Sequence, residues 1–84
     1  MNKARMGARI KEARKNRRLT QDQLAAEVNI GPTYISDIER GAKFPSLSLF
    51  IKIVNALNVS ADFILYGQLT PVKKFLYNGL TQKT

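Results

Sequence analysis

The chain has 84 residues, carries 14 Lys and Arg against 6 Asp and Glu for a net charge of +8, and has neither cysteine nor histidine. That length suits one small domain with a modest core and leaves no room for an attached effector or catalytic domain. The missing residue types exclude disulfides, thiolate or imidazole metal sites and histidine acid–base chemistry, and no cluster of carboxylates replaces them, so neither enzymatic activity, a cofactor nor a small-molecule ligand is expected.

Over residues 3–17, Met6, Ile10 and Ala13 recur at the spacing of one buried helical face, with cations over the rest, which predicts a first helix. Thr20, Asp22 and Gln23 form a T-x-x-Q capping box with an acid in the first turn, opening a short second helix whose apolar face is Leu24, Ala25 and Val28. Asn29 accepts the left-handed conformation that reverses a chain, Gly31 suits an N-cap and Pro32 a first helical turn. A third helix is therefore predicted to run to about Arg40, burying Ile35 and Ile38 and stopping at Gly41.

Pro45 and Ser46 open a fourth helix, for which Leu47, Phe50, Val54 and Leu57 are the expected inward face and Asn58 the stop. Ser60 caps a fifth, with Asp62 at its positive end and Phe63 and Ile64 facing inward. After Gly67, Thr70 and Pro71 can begin a last short helix carrying Val72, Phe75 and Leu76, ended by Asn78 and Gly79. The fold class is all-α, divided into a domain over 1–67 and a tail over 68–84.

The longest apolar runs, 49–51 and 63–66, fall far short of the ~20 residues a membrane span needs, and no apolar stretch follows the basic amino end as in an export signal. A cytoplasmic protein with a polyanionic partner, nucleic acid before membrane, is expected. The charge is unevenly spread. Residues 1–18 hold eight cations against the single acid Glu12, whereas residues 19–45 hold Arg40 and Lys43 against Asp22, Glu27, Asp37 and Glu39. Charge alone points to the first helix as the contact with nucleic acid.

The helix pair with its short turn points elsewhere. Leu24, Val28, Ile30, Ile35 and Ile38 are placed to pack the second and third helices together and leave one face of the third exposed, an arrangement suited to inserting a helix into a groove. At this level the chain resembles the lambda-repressor-like, or Xre-type, helix-turn-helix regulators of phages and bacteria. The resemblance rests on IKEAR at 10–14, LTQDQLA at 19–25, YISDIERG at 34–41, PSL at 45–47 and ALNVS at 56–60, collinear and correctly spaced over about residues 6–65.

It implies a five-helix domain with a short C-terminal helical extension, whose segment 20–41 docks on double-stranded DNA with the third helix in the major groove. Pro32, Thr33 and Asp37 would then face the bases. Thr33 can donate, accept or touch a thymine methyl, Pro32 offers an apolar contact, and Asp37 can only accept, as from a cytosine or adenine amino group. A second reading of Asp37 turns it from the bases to pair with Arg40 or Lys43. Phosphate contacts by resemblance fall to Gln21 with the amino end of the second helix, and to Tyr34, Ser36, Arg40, Lys43 and Ser46.

Arg14 and Glu39 match a family ion pair that joins the first helix to the end of the recognition helix and fixes geometry. That assigns Arg14 to the scaffold and leaves Arg9, Lys11, Lys15, Arg17 and Arg18 as steering charge, edge contacts to phosphate or a solvated face. Departures from the family pattern sit at turns where it commonly has glycine: Arg18, Asn29 and Asn58. Asparagine takes the left-handed conformation readily, arginine at a cost of about 1 kcal/mol.

One such domain makes few base contacts, so the resemblance implies a homodimer on a palindromic operator with half-sites about 34 Å apart. Leu49, opposite the expected inward face of the fourth helix, joins Val72, Phe75 and Leu76 as the expected dimer contact, unless the tail folds back over Leu49 within one subunit. The function expected is transcriptional regulation, foremost repression. A DNA-binding antitoxin with a protein partner is the alternative.

Overall fold

The computed structural model describes residues 2–65, which form five helices in the order α1 (Lys3–Asn16), α2 (Gln21–Glu27), α3 (Pro32–Glu39), α4 (Leu47–Leu57) and α5 (Ala61–Ile64). The expected helix after Pro71 and the tail positions Val72, Phe75 and Leu76 lie outside the described residues. Side chains close four of the five helix starts. Asn2 accepts from the Arg5 amide at 3.0 Å, Ser46 from that of Leu49 at 3.2 Å and Ser60 from that of Phe63 at 3.1 Å. At α2 the capping box is reciprocal: the Gln23 amide donates to Thr20 Oγ1 at 3.0 Å, and the Thr20 amide donates to Gln23 Oε1 at 2.8 Å. These bonds satisfy donors that a helix start leaves open. At α3, Gly31 is the N-cap without a side-chain bond, and Pro32 takes the first turn, where its missing N–H costs nothing.

The three turn residues that stand in place of glycine all adopt the left-handed conformation, Arg18 at φ 60°, Asn29 at φ 59° and Asn58 at φ 55°. Asn29 reverses the chain between α2 and α3, and the Ile30 amide donates back to the Ala25 carbonyl at 3.0 Å. The core gathers Met6, Ile10 and Ala13 of α1, Leu24 and Ala25 of α2 with Val28, Ile35 and Ile38 of α3, and Ile64 of α5. α3 packs on both α1 and α2 and is the hub of the domain. No helix among the described residues is long and apolar enough to cross a membrane.

The inward face of α4 differs from the expected one. Leu47, placed inward by its spacing, is 75% exposed, whereas Leu49, expected outside as a dimer contact, is 6% exposed and packs in the core with Ile53 and Leu57. Phe50 and Val54 sit half-buried at the border of this face. The reason is composition. Every residue of α4 except Ser48, Lys52 and Asn55 is apolar, so the apolar arc spans more than half the helix circumference. Periodicity then supports two inward faces, and only the fit against the other helices chooses between them.

Candidate nucleic-acid interface

α3 carries the site, and its orientation is set from both ends. At its start, the turn after α2 delivers Gly31 in extended conformation, and Pro32 and Thr33 stand exposed on the first turn. Near its end, Glu39 is buried, and its carboxylate receives a bidentate pair from Arg14 of α1: Nε donates to Oε2 at 2.6 Å and Nη2 to Oε1 at 3.0 Å. Arg14 Nη1 also donates to the Leu19 carbonyl at 2.7 Å, and Gln21 Nε2 donates to Glu39 Oε1 at 3.0 Å. One carboxylate thus ties together α1, the start of α2 and the end of α3. Each buried charge has its counter-charge and directional bonds, the condition under which an ion pair holds geometry without leaving an uncompensated charge.

A second cluster decorates the outer face of the same helix end. Asp37 Oδ1 accepts from Arg40 Nη2, and Oδ2 lies 3.5 Å from Lys43 Nζ. Arg40 Nε also donates to the Ser36 hydroxyl at 3.4 Å, and Lys43 Nζ lies 5.5 Å from the centre of the Tyr34 ring. Gly41 makes this possible. Its φ of 80° folds the chain back after α3, with the Ala42 amide donating to the Asp37 carbonyl at 2.8 Å. A side chain at Gly41 would also collide with Ala4, 2.8 Å from the Cβ position.

The residues expected to touch DNA therefore fall into distinct places. Pro32 and Thr33 are exposed together at the start of α3, while Tyr34, Ser36, Asp37, Arg40 and Lys43 form one cluster along its flank and end. Gln21 is half-buried and held by Glu39. Ser46 is exposed, but its hydroxyl oxygen caps α4. Of the two readings of Asp37, the ion-paired one is what the free protein displays. No group of acids among the described residues is arranged to hold a metal ion.

Sequence reasoning missed three features of this scaffold. Gly7 of α1 is buried where α1 crosses α3, and a Cβ there would lie 2.3 Å from the Ile38 carbonyl oxygen. The signal was present, since a glycine within a helical apolar pattern marks a close backbone approach. Other cations of α1 fasten it to its neighbours: Arg17 donates to the Ala56 carbonyl, Arg9 lies over the Phe63 ring at 5.3 Å and Lys3 over the Phe44 ring at 5.6 Å. The Gln21 link to Glu39 was missed as well, because no sequence pattern relates positions 18 apart.

A short capped helix, a turn through a left-handed Asn29 and a second helix with an exposed first turn define a helix-turn-helix domain. The helix-turn-helix family HTH_3 matches residues 10–64, and the chain belongs to that family of DNA-binding transcription regulators. Over 69 residues it is 42% identical to the immunity repressor protein of Bacillus phage phi105, a match covering 82% of this chain and 47% of that protein. To the HTH-type transcriptional regulator ImmR of Bacillus subtilis it is 38% identical over 60 residues, 71% of this chain and 47% of that one. The chain thus spans about half the length of these curated relatives. Among solved structures, the clp gene regulator ClgR from C. glutamicum superposes with a TM-score of 0.73 at 29% identity, over 77% of this chain and 83% of that one.

Proposed function

We propose that this chain is a sequence-specific transcriptional repressor that acts in the cytoplasm by occupying a palindromic operator as a homodimer. The observation that carries the proposal is the mounting of α3. Its first turn presents Pro32 and Thr33 to solvent, while its far end is fastened to α1 through the buried Arg14–Glu39 pair. A helix so held enters a major groove with its orientation already set, which lowers the ordering cost of docking. Thr33 reads a base edge, Pro32 gives an apolar contact, and Arg40 and Lys43, each at least 60% exposed along the side chain, meet phosphates at the groove edge.

Dimerisation follows from arithmetic of recognition, since a single α3 touches too few bases to select one site in a genome. Residues 1–67 are the DNA-binding unit in this reading, and the apolar residues of segment 68–84 are the candidates for the contact between subunits. The names of the relatives, an immunity repressor and a transcriptional regulator, support repression as the outcome of operator occupancy.

Selection of bound fragments from random DNA with the full chain tests the proposal. An inverted repeat with half-sites about 34 Å apart is expected. Thr33→Ala relaxes preference at one position of the half-site, and Arg40→Ala weakens binding to all sequences about equally. Recovery of no enriched motif, or both variants behaving as the parent, refutes it.

A further inference from the structure

The Asp37 cluster has a chemistry that neither base reading nor folding explains. Asp37 lies on the docking helix, yet its side chain is only 17% exposed and both of its carboxylate oxygens are engaged by cations. Those cations come from two elements, Arg40 at the C-cap of α3 and Lys43 from the loop beyond Gly41. Their own side chains are 64% and 60% exposed. Because the cation of each pair is mostly in solvent, the pairs contribute little to folding, about 0–1 kcal/mol, and both cations sit at or just beyond the end of the helix that carries Asp37, so the cluster is not what holds α3 in place. A carboxylate near a phosphate backbone also opposes docking, which makes its position on this helix costly unless it serves binding in another way.

We propose that Asp37 is a positioning residue that restrains the DNA-binding cations. It gathers Arg40 and Lys43 at one edge of α3 and limits how much of their charge a duplex receives. With Asp37 present the three side chains carry a net charge of +1. With a neutral residue in its place they carry +2, and the two cations are no longer drawn toward the helix. The tether is built by the backbone: the Ala42 amide bonds the Asp37 carbonyl at 2.8 Å, and this reversal brings Lys43 over Tyr34 and within 3.5 Å of the carboxylate. On docking, phosphates compete with Asp37 for the same two cations, so every duplex, specific or not, must displace the same interaction. In a chain of net charge +8 this restrains sequence-independent attachment, which comes almost entirely from such contacts.

The proposal rests on the DNA-binding reading above and makes a prediction opposite to base readout by Asp37. Fluorescence anisotropy of the full chain, with one operator duplex and one scrambled duplex over about 50–300 mM KCl, measures the Kd and its salt slope. Asp37→Asn, nearly isosteric, is expected to tighten both duplexes by a similar factor. The log–log salt slope steepens by about 0.9 for each subunit on the duplex, about 1.8 for a homodimer, which amounts to about sixtyfold at 0.1 M salt if the affinities converge near 1 M. In an Arg40→Ala, Lys43→Ala background only the direct repulsion between Asp37 and phosphate is left, so the same substitution is expected to give a smaller gain than in the parent and no steeper salt slope. Asp62→Asn on α5, with the same change in net charge, serves as the control for a general field effect, and thermal melting checks that the variants fold.

Weaker operator binding with relaxed preference at one base pair overturns the proposal in favour of base reading by Asp37. Unchanged affinity on both duplexes, or an equal gain from Asp62→Asn, also overturns it, and in these cases the DNA-binding reading stands. A parent chain that binds neither duplex refutes that reading, and this proposal with it.

Discussion

Gly7→Ala separates local helix preference from tertiary fit, because the two predict opposite signs. Gly7 lies inside α1, where exchange of glycine for alanine favours a helix by about 1 kcal/mol when the site is open. Here the site is closed. An added Cβ would lie 2.3 Å from the Ile38 carbonyl oxygen, 2.6 Å from that of Glu39 and 2.9 Å from the Glu39 carbonyl carbon, where ordinary contact begins at 3.4 Å. All three atoms belong to the backbone of α3 or its last turn, so no side chain can swing away. Restoring contact distance to the nearest of them requires α1 and α3 to part by about 1 Å. The Arg14–Glu39 bonds of 2.6 and 3.0 Å bridge the same two helices and do not survive such a step without adjustment.

Overpacking of this kind costs about 1–3 kcal/mol before the loosened ion pair is included, and the propensity gain offsets about 1 kcal/mol. These two effects leave a net loss of about 0–2 kcal/mol, which the loosened ion pair moves toward its upper end of about 2 kcal/mol, and in a domain of this size that lowers the Tm by roughly 8–16 °C. Thermal unfolding followed by circular dichroism at 222 nm measures it, with operator affinity as a second readout of the α3 mounting. A Tm equal to or above the parent's would show that α1 does not approach α3 at Gly7, and the account of how α3 is held would fail.

The other predictions concern the ion pair, the face of α4 and one turn. Arg14→Met leaves Glu39 buried with Gln21 as its remaining partner and is expected to cost about 3–5 kcal/mol in urea unfolding, while the double variant with Glu39→Leu recovers most of the loss. Leu49→Ala should destabilise by about 2–5 kcal/mol and Leu47→Ala by no more than about 0.5 kcal/mol, the contrast that separates the observed inward face from the one spacing alone favours. Arg18→Gly removes a side chain from φ 60° and should raise stability by about 0.5–1 kcal/mol, read as a Tm increase of a few degrees.

What the sequence made legible was whatever local chemistry dictates. The reciprocal Thr20–Gln23 box, the Gly31–Pro32 start and the reversals at Asn29 and Asn58 each follow from a few neighbouring residues, and all are present in the fold, whereas the left-handed Arg18 was legible only through the glycine that the family commonly has there. α1, α2 and α3 have narrow apolar stripes, so their inward faces were readable. α4 has a broad one, and the exchange of Leu47 for Leu49 is the result. Contacts between distant residues were legible only through family resemblance, as for Arg14 with Glu39. The Gln21 bond to the same carboxylate depends on how helices sit in space, which no local pattern encodes, and Gly7 within a helical pattern signals a close approach without naming what comes close.

Charge shows the same division in a form that bears on function. By composition the positive field belongs to residues 1–18, and the docking segment is acidic. In space, Arg14 leaves that field to neutralise Glu39, Arg17 binds a carbonyl of α4, and Arg9 and Lys3 lie over aromatic rings of Phe63 and Phe44. Much of the basic first helix thus fastens the scaffold. Of the four acids in the docking segment, Glu39 is buried beneath the surface a duplex would meet and Asp37 is covered by Arg40 and Lys43. The outer edge of α3 therefore presents cations to solvent although its sequence neighbourhood is net negative. Regional charge counts mislead where acids are paired inward and cations outward, and in this domain the sign a polyanion meets is decided by which member of each pair is exposed.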